Sequence, residues 1–283
     1  MTTIFPITYI MKKIITVYPF YLLFIIYSCC LSITSGTVTG WFKVETPSGE
    51  PIQGMILRHY PYNTADFQGD VFFVTDQEGK ANVTGFIPMQ NFVIEGIMSP
   101  YETTNSLSSK YQKLYIYGRS SSIDFYYTTY LGTRAQAILT ANLIGIPYNS
   151  SNGYVVVGMD IMEDPHLGLV PSNLEPAVGA TSTLSGLRHG GEPFIFAPRI
   201  ETGSTVQPHG SSFVTYPDVV PGNGNVSVTY NPPSFSCGPI CQCGVSPGFT
   251  ESLGETLPVE VFPDSISVVS YVCIKILNAA SIL

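Results

Sequence analysis

Charge is scarce in this chain: Asp, Glu, Lys and Arg make up 11% of its 283 residues. The 12 Lys and Arg form no cluster or stripe, and the formal net charge is −8. A nucleic-acid partner needs a basic surface to displace counterions from phosphates, so none is expected. Nor does the chain contain a His-Glu-x-x-His pattern, which would set two imidazoles on one helical face for zinc. Disorder is excluded by the opposite excess, since 45% of residues are hydrophobic and 12% aromatic. What abounds is 26 Gly, 22 Pro and 18 Tyr, the composition of many short strands joined by tight turns. The expected fold class is all-β.

The first thirty residues read as a leader. Lys12 and Lys13 precede a mostly apolar run, Ile14 to Tyr27, as the n- and h-regions of an export signal do. Ile26-Tyr27-Ser28-Cys29 is similar to the lipobox of bacterial lipoproteins, which implies a lipid on Cys29 and attachment to a membrane. A plain cleaved signal and an uncleaved anchor are the alternatives, although Pro19 interrupts the roughly 20 apolar residues a span requires. Each version places the body outside the cytoplasm, as a cell-envelope lipoprotein or a secreted protein.

Two of the six cysteines belong to this leader, and Cys237, Cys241, Cys243 and Cys273 come late in the chain. An even set in an exported protein reads as disulfides, with three connectivities open. A Cys241–Cys243 bridge is geometrically awkward, so the expected arrangement ties the loop at 236–248 to the strand carrying Cys273. A metal cluster would need a fourth ligand at suitable spacing, and none is found.

From Gly36 to Ile97 apolar residues alternate and are broken by turn residues. Gly36-x-Val38 is followed by Gly49-Glu50-Pro51-Ile52-Gln53-Gly54, then Thr75-Asp76-x-x-Gly79, then Phe86-Ile87-Pro88 and Phe92-x-Ile94. Gly49 and Pro51 suit a hairpin between the first two strands, and Asp76 can cap its own turn, which Gly79 closes. This order of motifs resembles the carboxypeptidase regulatory-like family. The resemblance implies a transthyretin-like or Ig-like β-sandwich and an accessory role rather than a catalytic one.

Gln112 to Tyr117 reads as a further strand of this unit, bounded at 36–127. Helix formers and apolar residues at three and four spacing then predict one short helix between Thr133 and Ile144, within a linker at 128–152. Beyond it the pattern recurs: Gly153 to Met159 echoes the opening strand, Glu175-Pro176 echoes Glu50-Pro51, and Phe213 to Val228 echoes the Phe86 segment. Leu257–Val261 and Ile266–Val272 read as a hairpin closing this second unit, 153–283. The expected architecture is two tandem Ig-like or transthyretin-like sandwiches with one short linking helix.

No residue set assembles a catalytic site, and neither a metal nor a cofactor is expected. His189-Gly190-Gly191-Glu192 and Glu163-Asp164-Pro165-His166 place His near carboxylates, but in Gly- and Pro-rich loops where polar residues belong anyway. Asp76 and Glu78 offer oxygens to calcium, though a turn explains Asp76 without it. Asn82, Asn149 and Asn225 begin glycosylation sequons. The expected role is structural or adhesive, holding out loops to a protein or glycan at the cell surface. The second reading is a carbohydrate-binding module of a degradative system, with Tyr126 and Tyr127 as stacking residues.

Overall fold

The computed structural model describes residues 37–61, 72–88, 90–98, 110–120, 124–162, 174–196, 199–208, 210–230, 235–239 and 256–275. The first half supplies β1 (Val38–Glu45), β2 (Met55–Pro61), β3 (Phe72–Val74), β4 (Lys80–Phe86), β5 (Asn91–Met98), β6 (Lys113–Arg119) and β7 (Phe125–Tyr130). A short helix, α1 (Arg134–Leu143), follows. Then come β8 (Gly153–Met162), β9 (Glu175–Pro176), β10 (Thr181–Ser185), β11 (Phe194–Phe196), β12 (Ile200–Thr202) and β13 (Phe213–Val219). The last strands are β14 (Gly222–Thr229), β15 (Phe235–Pro239), β16 (Leu257–Val261) and β17 (Ser265–Lys275). The protein is mostly β-sheet with a short helix, as composition and periodicity required.

Hydrogen bonding sorts the described strands into three sheets. Two are small, with orders β4-β1-β7 and β10-β14-β16. The large one runs β12-β11-β13-β8-β17-β6-β5-β2-β3, with β15 also beside β17 and β9 beside β8. At its centre β17 is parallel to both β6 and β8. Strands buried on both faces need apolar side chains at successive positions, which is why β8 reads Tyr154-Val155-Val156-Val157 and β17 carries Val268-Val269.

The two faces of this sheet meet different cores. Val268 and Val272 of β17 join a cluster with Phe42, Phe86, Phe125 and Tyr127. Val269 and Tyr271, one position out of phase, join another with Val226, Leu257 and Val259. Strand β6 divides likewise, Leu114 and Ile116 against the first core, Tyr115 and Tyr117 against the second. Successive strand residues face opposite sides of a sheet, so the small sheets cover opposite faces of the large one. Hydroxyls cross the layers: Tyr271 Oη donates to the Val226 carbonyl at 2.7 Å and accepts from the Leu257 N–H at 3.2 Å. On the other face Tyr127 Oη lies 3.0 Å from Ser270 Oγ.

This arrangement differs from tandem sandwiches laid end to end. The limits 36–127 and 153–283 do not interrupt the large sheet, because β6 and β8 flank the same strand. Each half closes a core with its own small sheet, yet both cores rest on shared strands. The hairpin expected from Leu257–Val261 and Ile266–Val272 is instead a change of sheet, since β16 pairs with β14 while β17 enters the large sheet. The Gly49–Pro51 turn does the same, passing the chain from β1 in a small sheet to β2 in the large one. The sequence echo between β1 and β8 does not mark equivalent places, because β1 lies in an outer layer and β8 in the middle one.

Local chemistry fixes the turns. Asp76 Oδ1 accepts from the Glu78 and Lys80 N–H groups at 2.8 and 2.9 Å, closing the turn into β4. Gly79 there has φ +73°, and a Cβ would come within 2.5 Å of the Val44 carbonyl. Helix α1 opens on a capping box: Thr133 Oγ1 accepts from the Gln136 N–H at 3.1 Å, and Gln136 Oε1 accepts from the Thr133 N–H at 2.7 Å.

Candidate functional site

The outer face of the β4-β1-β7 sheet is the candidate site. Along β7 the burial alternates, with Phe125, Tyr127 and Thr129 inward and Tyr126 and Tyr130 outward. On β1 the inward positions are Val38, Gly40, Phe42 and Val44, which leaves Trp41 on the outer face. Parallel register sets Trp41 opposite Tyr126, and the antiparallel partner of Trp41 on β4 is Asn82. The two rings stack with centroids 5.9 Å apart and planes at 21°. Exposure is 39% for Trp41, 52% for Tyr126 and 44% for Tyr130, a large aromatic area left in water. Exposed Asn82 and Thr84 and half-exposed Lys43 rim it with polar groups.

Packing beneath holds this face rigid. Phe42, adjacent to Trp41, meets Phe86, Phe92, Phe125 and Tyr127 at centroid distances between 5.6 and 6.1 Å. Gly40 makes room for them, because a Cβ there would stand 2.6 to 2.8 Å from the rings of Phe42, Phe125 and Phe86. Tyr127 is part of this packing at 2% exposure and is corrected as a stacking residue. Its neighbour Tyr126 keeps the exposed place expected of it. Trp41 went unnoticed in the sequence, although an aromatic in the outward phase of an alternating strand marks it.

Two polar groupings among the described residues lie elsewhere. Glu95 accepts from Tyr60 Oη at 2.8 Å and Tyr115 Oη at 3.0 Å, with Arg58 Nη1 at 3.5 Å. Burial pushes the Tyr115 phenol up, and the charge and hydrogen bond of Glu95 add to this. Asp264, in the turn between β16 and β17, accepts from Tyr148 Oη at 2.6 Å and pairs with Arg134 at the start of α1. Burial alone would raise its carboxyl, but the bonds from Arg134, Tyr148 and Gln112 outweigh that and hold it below its usual value. These groups are engaged with one another and tie β2 to β6 and α1 to the β16–β17 turn.

The described histidines are also placed by packing. His59 lies 4.1 Å from the Phe86 ring centroid, and burial lowers its pKa to about 4. It lines a cleft of about 30 Å³ with Phe86, Ile87, Gln90 and Phe92, room for one water and far below the roughly 300 Å³ of a small-molecule site. His189 Nδ1 lies 2.6 Å from the Gly191 carbonyl and its ring meets Tyr216 edge-on. Asp76 spends its Oδ1 on backbone N–H groups. Among the described residues no three His, Cys, Asp or Glu converge as metal ligands.

Some expected positions lie outside the described residues: Cys29, Cys241, Cys243, Glu163 and His166. The same is true of Gly244-Val245-Ser246-Pro247-Gly248, which has the Gly-x-Ser-x-Gly spacing of a nucleophile elbow. Asn82, Asn149 and Asn225 are all exposed. No described helix is long and apolar enough to cross a membrane.

No protein-family model matches the chain, and no curated protein is similar to it. Solved structures give distant likenesses. The ancillary pilin of a streptococcus aligns at 10% identity and TM-score 0.27 over 84% of this chain and 63% of its own. The major pilin of Streptococcus pyogenes aligns at 6% identity and TM-score 0.24 over 86% of this chain and 100% of its own. The Bacillus anthracis TIE protein aligns at 10% identity and TM-score 0.24, and this chain spans about a third (34%) of its length. Superpositions at this level do not establish a shared architecture, so the function below is argued from the chain's own geometry.

Proposed function

We propose that this protein acts by contact rather than by catalysis, as an exported structural or adhesive component of a cell surface or envelope. Its working face is the exposed Trp41–Tyr126 pair, which takes a protein or glycan partner. The observation that supports this most is the exposure of two stacked rings on a sheet whose other side is anchored by an aromatic core. A large aromatic area left in water marks a recognition surface, since hydration of those rings is unfavourable until something covers them. The leader at 1–30, with its basic n-region and apolar run, supports export, and Cys29 is the position where a lipid would hold the body to a membrane. The order of turn motifs between Gly36 and Ile94 supports membership of the carboxypeptidase regulatory-like family, with a non-catalytic role.

The polar rim favours the glycan form of this reading, a carbohydrate-binding module. Asn82, Thr84 and Lys43 offer donors and acceptors to hydroxyls beside rings suited to the apolar faces of sugars. Glycan arrays and surface-protein extracts, probed with the parent, Trp41→Ala and Tyr126→Ala, test it. Each variant is expected to lose about tenfold in affinity, equivalent to about 1.4 kcal/mol, with its unfolding midpoint unchanged. Tyr127→Phe should bind as the parent does. Equal binding by the parent and both alanine variants would remove this face from the account.

A further inference from the structure

We propose that Cys237 and Cys273 form a disulfide that fastens β15 to β17. The two residues are direct partners in an antiparallel ladder, between Ser236↔Ile274 on one side and Gly238↔Val272 on the other. Directly opposed residues of such a ladder have Cα atoms about 4.5 to 5.5 Å apart, inside the roughly 4.4 to 6.8 Å that a disulfide spans. Sequence spacing left three connectivities open for Cys237, Cys241, Cys243 and Cys273. This register points to a single bond between Cys237 and Cys273, and because a Cys241–Cys243 bridge is geometrically awkward, those two stay thiols rather than completing that connectivity.

The sheet shows what the bond would do. Strand β6 accompanies β17 from Ser265 to Val269, and β15 takes over the same edge from Tyr271 to Lys275. The opposite edge is occupied throughout by β8, where Cys273 pairs with Ile161. Cys273 therefore sits on a strand held from both sides, while β15 is a five-residue strand ending in Gly238-Pro239. β15 pairs over only these five residues, and its Pro239 has no N–H to give a ladder. A covalent tie to the middle strand supplies what so short a ladder does not.

With oxidised glutathione as the oxidant, one cysteine thiolate attacks a glutathione sulfur and releases one glutathione thiolate. The second cysteine thiolate then attacks the mixed disulfide and releases the other. One S–S bond forms, one is broken, and the two electrons leave the protein with glutathione, which ends as two thiols. Done on the purified full chain, this oxidation tests the pairing apart from the export on which the proposed function depends.

The test is alkylation of remaining thiols followed by proteolysis and mass spectrometry. Trypsin is unsuitable, because no Lys or Arg lies between Arg199 and Lys275. Cleavage after glutamate cuts at Glu251, Glu255 and Glu260 and separates Cys273 from the other three cysteines. The expected result is a reducible crosslink between the two peptides in the parent and, unchanged, in the Cys241→Ser/Cys243→Ser double variant. In Cys237→Ser, Cys273 becomes open to alkylation. Reduction should lower the urea midpoint of the parent and leave that of Cys237→Ser where it is. Alkylation of both Cys237 and Cys273 in the oxidised parent would overturn the proposal, and so would a crosslink from Cys273 to Cys241 or Cys243.

Discussion

β7 and β17 are both rich in apolar and aromatic residues, yet their side chains follow different rules. β7 alternates strictly, because its sheet is packed on one face and wet on the other. β17 is covered on both faces, with Val268 and Val272 in one core and Val269 and Tyr271 in the other. The number of covered faces, rather than strand propensity, sets the pattern. It also sets what a substitution costs in stability: on β7 the neighbour of a buried residue can be truncated with little loss of fold, whereas on β17 it cannot.

The largest test of this contrast is truncation at the centre. Tyr271→Ala removes a fully buried ring and both hydroxyl bonds to the opposing sheet, and should cost about 4 kcal/mol in urea unfolding. Tyr126→Ala, on the exposed face, should stay within about 0.5 kcal/mol of the parent. Equal losses at the two positions would dissolve the distinction.

Acid comes next in size. His59 is held neutral with a pKa of about 4 against an ordinary 6.5, so the unfolded chain takes a proton that the folded one refuses. The stability this represents is complete above pH 6.5 and is lost as pH falls towards 4, by roughly 2 kcal/mol after allowance for partial solvation. Asp160 opposes it: burial raises its carboxyl to about 6, a penalty present above pH 6 and relieved as pH falls through the same window. Urea midpoints between pH 4 and 7 should therefore fall more steeply in Asp160→Asn than in the parent, and less steeply in His59→Gln.

The smaller tests concern single polar contacts. Tyr271→Phe keeps the ring and should cost about 1 kcal/mol, isolating the tie between layers from the burial. Arg134→Ala should cost up to about 1 kcal/mol through the half-exposed bond to Asp264, with the loss shrinking in high salt. Thermal unfolding in low and high salt checks it, and a salt-independent loss would point to packing rather than charge.

Legibility from sequence followed the same divide. Where one face is wet, alternation announced the strands, and the Asp76 turn and the Thr133–Gln136 cap were visible because their bonds close within a few residues. Strand partners were not visible, since the parallel neighbours of β17 come from distant parts of the chain and leave no local trace. A turn looks the same whether it returns a strand to its own sheet or delivers it to the next, which is why 257–272 read as a hairpin. At the candidate face a missing phase misled: Phe125 shares its side of β7 with Tyr127, and that parity would have singled out Tyr126 and drawn attention to Trp41.

β17, which lies between β6 and β8 and serves both cores, also comes after every other described strand in the chain. During synthesis β6 and β8 have an open slot between them until Ser265 onward leaves the ribosome. Neither half can then seal its interior early, and the distant pairings that complete it are of the kind that form slowly. The polypeptide therefore stays open along its length until late, and becomes a folded body only after its middle has been inserted.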